Sequence, residues 1–229
     1  MKSIINIESY EIKTSRTDQK IPIINGVHIH SVYNPYKEAE GLIEKHLEAI
    51  SNKVEVLVLG LGFAYHVNEL IQEMSKVHGD NFKIVVIEPN LQVYNDCIEL
   101  GLLNKKNVIV FAGYTPHELF SDSDLVHFLL KKPTVIAHPP SFNLYQLYFK
   151  EILTFEAPTN LVDSLSFLTN DKVKKYLNTF KGTSTFEEIS EVIVPEKNSI
   201  TELDFAILAL AEITRNSKNI NKKSNTGEV

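Results

Sequence analysis

"VLVLGLGFAYHVNEL", Val56–Leu70, is the stretch that decides the fold. An apolar run reaches Gly60, Gly62 follows, and helical spacing takes over beyond it. A strand, a glycine turn and a helix in that order open a nucleotide-binding α/β unit. Glycine lets a ligand approach the backbone closely, and the helix N-terminus offers unpaired N–H groups with a partial positive charge. Gly60 and Gly62 fit the dinucleotide fingerprint, but Tyr65 stands where its third glycine belongs. A bulky phenol there argues against ordinary NAD binding.

Outward from this stretch the pattern repeats. "VEVLVLG", "FKIVVIEP", "NVIVF" and "PTVIAH" are nearly continuous apolar runs, as expected of parallel strands covered on both faces. Between them lie the helical segments "AYHVNELIQEMSK", "NLQVYNDCIELGLL" and "TPHELFSDSDLVHFLL"; "NLYQLYFKEILTF" follows the last strand. The expected fold is α/β: a Rossmann-like, doubly wound, mainly parallel sheet over 34–156, with its ligand crevice beside the first strand. Residues 1–33 read as a β-hairpin region packed on that core, with Asn25-Gly26 as the turn signal. Asn34 and Pro35 suit the start of a helix through "NPYKEAEGLIEKHLEAI". Residues 157–216 read as mainly helical and 217–229 as a disordered polar tail. The apolar helix around Phe205, Leu208 and Leu210 suggests a homo-oligomer contact.

The 229 residues carry a net charge of -6 and no Lys/Arg run longer than two, which argues against a nucleic-acid surface. Neither a signal-peptide pattern nor a membrane-length apolar stretch is present, so a cytoplasmic protein without membrane insertion is expected. Cys97, the only cysteine, reads as a buried thiol.

The glycine turn also looks like the first motif of S-adenosylmethionine-dependent methyltransferases, with Val58 in place of an acid and Ala64 in place of the last glycine. Glu88 closes the second strand, "VVIEPN", where a carboxylate can accept from two ribose hydroxyls; Asn90 can assist or cap the next helix. The candidate ligand-binding residues are therefore Gly60, Gly62, Phe63, Ala64, Glu88 and Asn90, for a nucleotide-like molecule of nucleotide-sugar or S-adenosylmethionine type. The plainer alternative is that the glycines only make the turn and Glu88 only caps. "HPPS", His138–Ser141, ends the fourth strand where some amine methyltransferases carry Asn/Asp-Pro-Pro-aromatic. Both diagnostic side chains differ, and a rigid exit from the strand is the simpler reading. "HIH" places His28 and His30 at metal-chelating spacing on one strand face, but no third ligand is evident, so no metal is assigned.

Taken together, "IHSVYNPYKEAEGLIEK", "VLVLGLGFAYHVNEL" and "VVIEPN" resemble the N-terminal region of bacterial motility-associated factor proteins, over about His28 to Phe155. Those flagellin glycosyltransferases attach nonulosonic sugars to serine or threonine. The resemblance implies a setting in flagellin or surface glycosylation, with flagellin or a larger glycosyltransferase as partner. Family members are much longer, and transfer is assigned to a second Rossmann-like domain that has no room here. No catalytic residue is therefore carried across.

Overall fold

The computed structural model describes residues 5–157 together with 167, 171 and 174. The chain divides into two units, one running to Leu119 and resuming over Asp124–Phe155, the other made of Phe120–Ser123 and the stretch from Glu156 onward. The architecture below is that of the first unit. Both the hairpin region expected over 1–33 and nearly all of the α/β region expected over 34–156 belong to it. The apolar helix around Phe205, the rest of the C-terminal helical region and the tail over 217–229 lie outside the described residues.

The chain opens with a small antiparallel sheet of β1 (Tyr10–Thr14), β2 (Lys20–Ile24) and β3 (Val27–His28). The β2–β3 turn is Asn25-Gly26, with φ of 51° and 76°, and pairs Ile24 with Val27. Positive φ at both central residues is what a tight hairpin needs, and Asn-Gly tolerates it. The return strand stops at His28, short of the "HIH" expected on one strand face.

Helix α1 (Pro35–Glu44) starts as its sequence dictates: the Asn34 side chain accepts from the Tyr36 and Lys37 amides, and Pro35 occupies the first turn. The expected single helix breaks at Lys45–His46 and resumes as α2 (Leu47–Ser51). Next come β4 (Glu55–Leu59), α3 (Tyr65–His78), β5 (Lys83–Glu88), α4 (Leu91–Glu99) and β6 (Val108–Ala112). The segment expected as one helix over Thr115–Leu130 is two, α5 (Pro116–Ser121) and α6 (Ser123–Leu130). Strand β7 (Thr134–Ala137), α7 (Pro139–Leu144) and α8 (Gln146–Leu153) complete the order.

The second sheet runs β6-β5-β4-β7, every pair parallel. The chain steps outward from β4 to β5 and β6, then returns to the other side of β4 with β7. Neighbouring strands thus lead away in opposite directions beside β4, which creates a crevice at the strand C-termini. This is the Rossmann-like doubly wound sheet. The central strands form the core: Val56, Val58, Leu59, Ile84, Val86 and Ile87 have no exposed surface, whereas Ile109 and Val135 on the edge strands are each more than two-fifths exposed. Burying one such aliphatic side chain contributes about 1.5–3 kcal/mol, so the apolar runs that signal parallel strands also hold them in the centre.

Candidate functional site

The turn between β4 and α3 sits at the switch point, and its glycines are there for two reasons. Gly60 and Gly62 have φ of 97° and 51°. A Cβ added to Gly60 would lie 2.3 Å from Ser141 Cβ, and one added to Gly62 would lie 2.4 Å from His30 Nε2. Side chains of the protein itself therefore press against both glycines. Ala64 also has a left-handed backbone, with φ of 61°, at the position where the methyltransferase motif has its last glycine. Tyr65 packs against residues of the N-terminal segment and α1. Its ring meets His30 and Tyr36 edge-on, and its hydroxyl donates to the Lys20 carbonyl at 2.6 Å.

Each amide of the turn already has an acceptor. Gly60 N–H donates to the Ile87 carbonyl at 2.9 Å and Ala64 N–H to the Leu61 carbonyl at 2.9 Å. Leu61 and Gly62 both donate to Glu88 Oε2, at 2.8 and 3.2 Å. Phe63 N–H donates to His30 Nε2 at 2.8 Å. The other Glu88 oxygen accepts from Asn90 N–H at 2.9 Å. Glu88 thus bridges the turn to the end of β5, with 1% of its surface exposed. Burial pushes its pKa up to about 7, although the Asn90, Leu61 and Gly62 amides pull the other way. Burial, with the Glu88 charge adding to it, pushes the Cys97 thiol up to about 12.

The expected ligand-binding residues are brought together. Gly60, Gly62, Phe63 and Ala64 form the turn, Glu88 spans it, and Asn90 caps α4 by accepting from Gln92 N–H at 3.0 Å. Between the turn and Glu88 lie the fourteen-residue α3 and its exit at Gly79, which has φ of 61°.

The reading of "HIH" needs correction. The strand ends at His28, which is exposed, while His30 lies beyond it and is 2% exposed. His30 has buried companions that its sequence neighbourhood does not reveal, His66 from the first turn of α3 and His138 at the exit of β7. His66 and His138 stack with ring centroids 4.1 Å apart and planes 7° from parallel; His30 lies 4.8 Å from His138. "HPPS" supplies two of the contacts. His138 N–H extends the β7–β4 ladder by donating to Leu59 O at 2.9 Å, its Nδ1 lies 2.8 Å from Ser141 Oγ, and the prolines form the first turn of α7. Burial, the largest cause at each ring, holds all three histidines below the usual imidazole range, with His66 at about 3. They are neutral at pH 7. Sequence reasoning missed His66, since a lone histidine at a helix start has no periodicity or spacing to mark it.

Among the described residues, no helix is long and apolar enough to cross a membrane. No family model and no curated protein matches the chain. Among solved structures it is similar to the crystal structure of MNMC2 from Aquifex aeolicus, at 15% identity and a TM-score of 0.35, over 51% of this chain and 46% of that one. The match therefore spans less than half of that structure's length.

Proposed function

We propose that this chain is a Rossmann-type module of flagellin or surface glycosylation, related to the N-terminal domain of motility-associated factor proteins. In this reading it binds a nucleotide-type ligand at the switch-point crevice without itself transferring the sugar. One observation carries the proposal: the three motifs behind the resemblance meet at one place. Glu38, from the Asn-Pro helix start, accepts from Ser31 N–H at 2.8 Å; His30 accepts from the Phe63 amide of the glycine turn; Glu88, from the strand end, holds the Leu61 and Gly62 amides. Motifs read separately along the sequence are joined at the glycine turn, by His30 on one side and Glu88 on the other.

In this reading the Glu88 carboxylate, bonded to the Leu61 and Gly62 amides, marks where a ligand's anionic group would bind. A nucleotide entering the crevice exchanges with it: ribose hydroxyls replace the amides as donors to the carboxylate, and the freed Leu61 and Gly62 amides turn to a phosphate or carboxylate. Calorimetry and thermal shift with CMP, UDP, NAD and S-adenosylhomocysteine test this. Binding of CMP or UDP, abolished by Glu88→Ala, is the expected result. Indifference to all four at millimolar concentration would end the small-ligand reading and leave a protein-interaction module. The position of Glu88 at the end of the second parallel strand also favours a second reading, a divergent S-adenosylmethionine-dependent methyltransferase. Selective binding of S-adenosylhomocysteine would move the assignment there.

A further inference from the structure

His30, His66 and His138 come from three separate segments of the chain and meet in the interior, each no more than 2% exposed. One ring nitrogen from each lies within 4.8 Å of the others. Two of the rings are anchored through a nitrogen. His66 Nε2–H donates to the Gly60 carbonyl at 2.9 Å, and His138 Nδ1 lies 2.8 Å from Ser141 Oγ. Donating from Nε2 leaves His66 with a bare lone pair on Nδ1, and that atom is buried with no hydrogen-bond partner. An unpaired buried acceptor is costly, and folded proteins leave few of them. This one belongs to His66, whose ring stacks on His138 and lies 5.9 Å, centroid to centroid, from His30.

We propose that His30, His66 and His138 form a binding site for a divalent transition-metal cation of the zinc class, with His66 Nδ1 as one ligand. Three neutral imidazoles favour zinc, cobalt or nickel over magnesium or calcium, which take oxygen donors. The anchored second nitrogens of His66 and His138 match the outer-shell bonding that orients metal-ligating histidines. His30 has a carboxylate in the same role, with Glu38 Oε2 3.7 Å from its Nδ1. Two local changes accompany binding. Parallel rings share no in-plane point, so His66 or His138 tilts out of the stack for both lone pairs to reach one cation. Ligation through His30 Nε2 also displaces the Phe63 amide, which ties occupancy to the conformation of the glycine turn. The metal proposal stands whether or not the crevice takes a nucleotide.

The test uses the tag-free full chain, stripped with a chelator and titrated with Zn2+ by calorimetry, then refilled with Co2+ for visible absorption. One zinc per chain and the intense d–d bands of a four-coordinate cobalt site are expected. His66→Gln and His138→Gln weaken zinc binding by about 100-fold or more, since outer-shell losses alone cost 10–100-fold. His28→Gln, at the exposed neighbour, leaves it unchanged. Unaltered affinity in folded His66→Gln protein, or no stoichiometric binding by the wild type, overturns the proposal. Should the variants fail to fold, the imidazole 15N resonances of the wild type decide: a zinc-induced shift of His66 Nδ1 supports the site, and its absence removes it.

Discussion

Two of the turns that place glycine at positive φ are built for different reasons. At the β2–β3 hairpin Gly26 has φ of 76° and open space where a Cβ would go. At the end of β4, Gly60 combines φ of 97° with Ser141 Cβ only 2.3 Å from the position of an added Cβ. The first glycine answers a local backbone demand. The second also answers the approach of a helix more than seventy residues away in sequence. Local chemistry can be read from two adjacent letters, whereas a tertiary approach has no local signature.

Mutations sharpen that contrast. Gly60→Ala combines left-handed strain with overpacking and is expected to destabilise by about 3–5 kcal/mol in urea unfolding. Adding Ser141→Gly removes the struck atom and should return the overpacking part. If no recovery follows, the backbone alone sets the cost and the two turns are alike. Next, Glu88→Ala strips the acceptor from three amides and should cost about 3 kcal/mol, because buried donors left unpaired are expensive. A loss below about 1 kcal/mol would mean that water takes over the carboxylate's role.

Acid should loosen the strand-end turn while sparing the hairpin. In metal-free protein, the lowered His66 pKa of about 3 contributes stability that is fully present above the unfolded value near 6.5 and declines as pH falls below it. Between pH 7 and 5 that loss is about 2 kcal/mol. Glu88 acts in the opposite sense. Its raised folded value of about 7 gives stability that is present below the unfolded value near 4.5 and is lost as pH rises through 7. Acidification from pH 7 to 5 therefore returns roughly as much through Glu88 as it takes through His66. His30 and His138, both lowered by burial, tip the balance toward net destabilisation. Urea midpoints at pH 7, 6 and 5 check this, and Glu88→Gln should make the decline steeper.

The smaller effects come from the backbone alone. Gly26→Ala should cost about 1 kcal/mol, since only the left-handed conformation opposes it. Ala64→Gly should run the other way and stabilise by about 0.5 kcal/mol, as relief of strain at φ of 61° slightly outweighs the added freedom of the unfolded chain. A destabilising Ala64→Gly would show that the buried methyl group matters more than the backbone.

Periodicity and turn chemistry made much of this protein legible from its letters. The apolar runs 56–59 and 84–87 marked the parallel strands, because strands buried on both faces admit few polar residues. Asn25-Gly26 marked the hairpin, Asn34-Pro35 the start of α1, and Gly60, Gly62 and Glu88 the switch point. Each of these signals lies in a short window and reflects a local conformational preference. Which partners the switch-point groups take within the fold is visible only in the tertiary structure. Whether the Glu88 carboxylate faces a ligand or the amides of Leu61 and Gly62, and whether three scattered histidines share one interior site, depends on how strands and helices distant in sequence converge. Such convergence is a property of packing, and no segment of the chain encodes it alone.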